Sequence, residues 1–165
     1  MGSIISLISI AVLTAVDQII KIFVERDLQP IGEKAFIEGF VGWQYVRNTG
    51  AAFGSFSDNT LLLTIFTAVF LLVGIIALLS GKIKNKFYKV CAVMVIAGGL
   101  GNLIDRIFRG SELFHGYVVD YIKLLFVDFA IFNFADTSLS ILCPESSSLT
   151  LKINASTIFL TFPFV

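Results

Sequence analysis

The sequence predicts an all-α membrane protein: a bundle of four transmembrane helices, the last cut short, with a small sheet on the outer face. Three observations predict it. Hydrophobic residues make up 56% of the 165-residue chain and charged residues 15%, against about 45–50% and about 25% in soluble domains. Mean hydropathy is +0.90. The apolar residues are gathered into runs close to the roughly 20 residues a helix needs to cross a hydrocarbon core.

The first run spans about residues 4–24 and is apolar except for Asp17, Gln18 and Lys21 toward its end. It carries neither a basic leading region nor a clear small-residue cleavage site, so a retained helix is expected rather than a signal peptide. The outer loop 25–59 follows, with five acids and three bases. Within it Phe36, Phe40, Trp43, Tyr45 and Val46 are strand-prone and flanked by glycines. They predict an amphipathic sheet at the membrane interface, a depth that suits Trp and Tyr. The second helix, 60–80, has no charge. The third is expected over 87–106 and is charge-free between Lys89 and Asp105. In lipid such segments must be helical, because nothing else there satisfies their backbone groups.

A fourth helix is expected over 131–143. Its apolar stretch contains Asn133 and Asp136, and Pro144 and Glu145 follow it at once. Thr137 to Cys143 would rise only about 10 Å, a third of the core. The chain thus divides into a membrane domain, 1–143, and an atypical tail, 144–165, in which Leu149 to Asn154 alternates like a strand. The loop between helices two and three carries Lys82, Lys84, Lys86 and Lys89 and no acid. The positive-inside rule puts it, and the N-terminus, in the cytoplasm.

That topology collects the polar groups at one level, the outer ends of the helices. Ionisable residues in such places are functional candidates. Asp120 and Asp136 each follow an apolar run. Two carboxylates sharing a partly dry site cannot both ionise cheaply, so such a pair holds one proton. The ionised member can then take a proton from water while the other polarises a carbonyl, with no metal or other cofactor. The bare spacing leaves open that they are solvated loop acids or partners of Arg106. Asp17 and Lys21, four apart, read as an ion pair. Asn102, Asp105 and Arg106 share one helix face, as do Asn133 and Asp136. Arg106 could pair with Asp105, hold a substrate carbonyl, or snorkel to the interface. Gly98, Gly99 and Gly101 permit close approach of another helix or of a substrate. His115, the only histidine, has no nucleophile in a recognisable setting and reads as a loop residue. Cys91 and Cys143 lack metal-site spacing. Zero formal net charge shows no nucleic-acid footprint.

Five ordered motifs then resemble one family, the lipoprotein signal peptidases (signal peptidase II). They are Asp17-Gln18-Ile19-Ile20-Lys21, Asn48-Thr49-Gly50-Ala51-Ala52-Phe53-Gly54, Gly98-Gly99-Leu100-Gly101-Asn102-Leu103-Ile104-Asp105-Arg106, Tyr117-Val118-Val119-Asp120 and Phe132-Asn133-Phe134-Ala135-Asp136. The resemblance covers about residues 4–141. It implies a four-helix enzyme of the bacterial inner membrane with an outer-face β-cradle. Such an enzyme, an aspartic-type protease, removes signal peptides from diacylglyceryl-modified prolipoproteins as a monomer among membrane lipid, and globomycin inhibits it. By motif, Asp120 and Asp136 would be the catalytic dyad. Asn48, Gly50, Asn102, Arg106 and Asn133 would line the substrate or inhibitor site, with Asp17, Lys21 and Asp105 in support. Two departures stand out. Residues 111–116 look inserted, and the helix after Asp136 is interrupted, as a frameshift or truncation after about Leu142 would leave it. The competing expectations are an inactive relative of the family and a small channel or proton-coupled transporter.

Overall fold

The computed structural model describes residues 2–50 and 59–137. Among these, three helices are long and apolar enough to cross a membrane: α1 (Ser3–Phe23), α2 (Thr60–Leu79) and α3 (Lys86–Phe108). α1 does not stop where its apolar run weakens. It passes into a π-helical turn, Val24–Leu28, so the first helical segment reaches further than the sequence suggests. Asn85 starts α3 by accepting a hydrogen bond from the Phe87 N–H at 2.8 Å, which satisfies one of the orphan donors of a helix N-terminus.

α3 is the central helix, with α1 and α2 packed on it. The shared core is Ile10, Leu71, Leu78, Val93, Ile96 and Ala97. Thr14 adds a buried bond to the Ala97 carbonyl, 3.1 Å. The outward faces of α1 and α2 are covered with exposed Ile, Leu, Val and Phe, among them Ile5, Ile8, Val12, Ile65, Val69 and Leu72. Water would penalise that surface and hydrocarbon does not.

The strands are β1 (Glu33–Ile37), β2 (Val41–Asn48) and β3 (Val118–Leu124). They form one antiparallel sheet in the order β1-β2-β3. β1 and β2 take up Phe36, Trp43, Tyr45 and Val46 as expected, while Phe40 lies in the turn between them. β3 is a correction: the segment carrying Asp120 is a strand paired to β2, with Val46 opposite Asp120 and Asn48 opposite Val118. Leu28, Val119 and Tyr121 form a second core that joins the sheet to the end of α1, together with Ile20, Val24 and Trp43. An antiparallel bridge, Ile122 to Phe132, brings the chain back along β3 and leads into a helical turn, 134–137. The remainder of the expected fourth helix, the frameshift expectation, the strand-like stretch of the tail and Cys143 lie outside the described residues. His115 is exposed, as a loop residue should be.

Candidate active site

The site is assembled where the sheet meets the ends of α1 and α3. β3 presents Asp120, which is only 3% exposed. Asp136 comes from the turn 134–137, and Asn133 binds the two together. The Asn133 Nδ2 donates to Asp120 Oδ1 at 2.8 Å, and its backbone N–H donates to Asp136 Oδ2 at 2.9 Å. In return the Asn133 Oδ1 accepts from the N–H groups of Ala135 and Asp136, at 2.8 and 3.2 Å. This is a capping box written Asn-x-x-Asp: the first residue caps the turn and the fourth reaches back to close it. Asn133 therefore sits at the start of the turn rather than on a helix face beside Asp136.

The other partners of Asp120 come from β2. The Asn48 Nδ2 donates to Asp120 Oδ2 at 2.9 Å, and Asn48 Oδ1 accepts from the Gly50 N–H at 3.0 Å. Burial is the main force pushing the Asp120 carboxyl up, to about 7, and the charge of Asp136 adds to it. The hydrogen bonds from Asn48 and Asn133 pull the other way without cancelling the rise. The pair thus keeps a proton at pH values where an ordinary carboxyl has lost it.

A buried ionic cluster lies behind the pair. Lys21 is 0% exposed. Its ammonium meets Asp17 at 2.9 Å and Asp105 at 2.7 Å, and donates to Asn102 Oδ1 at 2.8 Å. Asn102 joins this cluster to the carboxylates: its Oδ1 also accepts from Asn133 Nδ2, 3.2 Å, and its Nδ2 donates to Asp136 Oδ1, 3.4 Å. The Asp17–Lys21 pair expected from spacing is present, with Asp105 as a third member. Burial of such a cluster is tolerable only because each charge is paired and hydrogen-bonded. Gly101 makes room for it, since a Cβ there would collide with the Asp17 carboxylate. Gly98 does the same for the chain opposite, where a Cβ would lie 2.9 Å from the Ala135 carbonyl oxygen. Both glycines serve packing within the chain.

Arg106 corrects one expectation. It does not snorkel: it is 3% exposed. Nor does it pair with Asp105, whose oxygens are taken by Lys21 and, at 2.7 Å, by Arg109. Its Nη2 donates to the Gly50 carbonyl at 3.2 Å. Its Nε and Nη1 are buried and have no partner among the described residues.

Sequence reasoning passed over several contributors. Gln18 donates to the Gly101 carbonyl and to Asp105 Oδ1, both at 3.0 Å. Glu25 pairs with Arg109 and accepts from the Tyr117 hydroxyl at 3.1 Å. Tyr121 accepts from the Phe134 N–H at 3.2 Å, tying β3 to the turn that bears Asp136. Only Gln18 carried a signal, a polar residue between Asp17 and Lys21 in an apolar helix.

The sequence signature of signal peptidase (SPase) II matches residues 9–143. The chain belongs to the signal peptidase II family. It is 37% identical over 134 residues to the lipoprotein signal peptidase of Streptococcus pneumoniae, covering 80% of this chain and 82% of that one. It is 38% identical over 129 residues to that of Streptococcus agalactiae, covering 78% and 80%. It is 36% identical over 135 residues to that of Streptococcus pyogenes, covering 81% and 84%. Two solved structures share the fold, each described as a bacterial membrane enzyme structure determined by the in meso method. One, at 2.3 Å resolution, superposes with a TM-score of 0.67 at 34% identity, over 82% of this chain and 80% of its own. The other, at 1.9 Å, gives 0.65 at 34% identity, over 82% and 85%. The family is one of membrane-bound proteases that process lipoproteins, and this signal peptidase II relative carries the apolar helices of a bacterial membrane protein.

Proposed function

We propose that this chain removes signal peptides from diacylglyceryl-modified prolipoproteins at the outer face of the bacterial inner membrane, using Asp120 and Asp136 to activate water. The observation that carries the reading is the double grip of Asn133 on both carboxylates. It sets buried Asp120 and half-buried Asp136 in one site, where one proton serves both. Asp136 in its ionised form takes a proton from the attacking water. Asp120 donates to the scissile carbonyl oxygen as it gains charge; burial favours the neutral form of both carboxyls, so the pair keeps a proton to give. The Nε and Nη1 of Arg106, which have no partner among the described residues, are the donors for a substrate carbonyl. General acid–base help of this kind is worth about 10²- to 10⁴-fold.

The membrane context supports the substrate class. A lipid-anchored cysteine holds the cleavage site at the depth where the polar groups gather, near the ends of α1 and α3. Globomycin-type compounds, inhibitors of this family, would compete for the same donors. The test is cleavage of a diacylglyceryl-modified prolipoprotein peptide by the full chain in detergent. Asp120→Asn and Asp136→Asn should each lose at least about 10²-fold while staying folded. Wild-type turnover in either variant removes the pair from the mechanism. No turnover in the parent chain under conditions that support a Streptococcus relative makes this an inactive member of the family.

A further inference from the structure

β3 has a second face. Asp120 lies on one side of the strand, and its neighbour Tyr121 points to the other, as successive strand residues do. Under Tyr121 there is a cavity of about 380 Å³, lined by Ile20, Phe23, Val24, Leu28, Ile31 and Trp43, with Asp27 and Lys34 also on its wall. Its volume falls in the range of small-ligand sites, about 300–1,000 Å³. The aspartate site does not use it.

We propose that this cavity holds an acyl chain of a bilayer phospholipid with an anionic headgroup. Three observations lead there, and none depends on the aspartates being catalytic. The cavity opens beside the last turns of α1, where a membrane helix leaves the hydrocarbon, and Phe23 and Ile31 on its wall are exposed. The lining is predominantly apolar, as an acyl chain requires. The charges at its mouth are not equivalent. Asp27 is held by two bonds from Arg26, at 2.6 and 2.7 Å. The Lys34 ammonium is exposed and has no ion pair among the described residues. A headgroup phosphate is the complement of a lone lysine above an apolar slot. The lipid would pack against Tyr121, whose hydroxyl holds the Phe134 N–H. That bond links the cavity wall to the turn bearing Asp136.

Trp43 is the only tryptophan in the chain, so its fluorescence reports on this cavity alone. The full chain is reconstituted in phosphatidylcholine vesicles containing a small fraction of phosphatidylglycerol brominated along its acyl chains. Quenching of Trp43 should saturate at low mole fraction. Phosphatidylglycerol should be preferred over equally brominated phosphatidylcholine by about fivefold, the effect of one lysine near a lipid headgroup. Val24→Phe, which fills the slot, should reduce quenching to the linear dependence of bulk contact, and Ile20→Phe should do so from another wall. Lys34→Gln should keep saturation but abolish the headgroup preference. Two results overturn the proposal. One is quenching proportional to mole fraction and unchanged in both filled variants, which makes Trp43 a bulk-lipid contact. The other is saturation only with a brominated diacylglyceryl peptide, which assigns the slot to substrate.

Discussion

Asp120→Asn should make the protein more stable in alkaline solution while inactivating it. Asparagine matches the shape of aspartate and carries no charge. The Asp120 carboxyl moves from its ordinary 3.8 to about 7 on folding, a span of about three pH units at about 1.4 kcal/mol each. Between these values the folded protein holds a proton that the unfolded chain has lost, so stability falls as pH rises through the window and levels off above about 7. Ionised and buried, Asp120 therefore costs the native state about 4 kcal/mol at pH 8 relative to a neutral group. The substitution sacrifices part of that relief. Asn48 and Asn133 each donate to a different oxygen of Asp120, and asparagine has only one oxygen to offer. One donor then faces an amide NH₂, a loss of about 1–3 kcal/mol. The net expectation at pH 8 is a gain of about 1–3 kcal/mol, and near pH 4 a loss of similar size. Thermal unfolding in detergent at pH 4, 6 and 8 measures it, with the two stability curves crossing between pH 4 and 7. Parallel curves across that range would refute the argument that a buried, proton-holding Asp120 underlies the site.

Other expectations follow from the same geometry. The value of kcat/KM should fall as pH rises above about 7, because the pair loses the proton that Asp120 must donate, and a rate that is flat from pH 6 to 9 contradicts that role. Lys21→Met should cost about 3–5 kcal/mol, since Asp17 and Asp105 would be left buried without their shared cation; detergent melting and the yield of folded protein read it, and an unchanged melting temperature refutes it. Gly101→Ala should separate α1 from α3, because the new Cβ meets the Asp17 carboxylate. That loss of stability should exceed the loss from Gly74→Ala, where the nearest atom of Ile96 lies at 3.5 Å.

The membrane helices could be read from the sequence because lipid imposes a single rule, an apolar run of the right length. The convergence of Asp17, Asn102, Asp105, Asn133 and Asp136 followed from topology alone. β3 could not be read. Val118, Val119, Asp120 and Tyr121 are all buried, so the alternation that marks a half-exposed strand is absent, and the partner strand lies about 70 residues earlier. The orientation of Arg106 was hidden for a different reason. Adjacent to Asp105 in sequence, it invites pairing, yet neighbours on a helix point in different directions. Asp105 turns to Lys21 on α1, and Arg106 turns to the carbonyl of Gly50. The π-helical turn after α1 has no local signature at all; contacts of Leu28 with Val119 and Tyr121 hold it. The capping box was present as Asn133-x-x-Asp136, but an aspartate in the last position is an uncommon spelling of that motif.

Asp136 closes the helical turn 134–137 through Oδ2 and is also the proposed acceptor of a proton from water. Any proton that settles on that oxygen weakens the bond to the Asn133 N–H. The turn is then not an inert scaffold beneath the chemistry but a register of the protonation state, loosening and tightening as the carboxylate fills and empties. Amide exchange at Asn133 would record that cycle directly, as a pH-dependent opening rate in a backbone position that carries no ionisable group of its own.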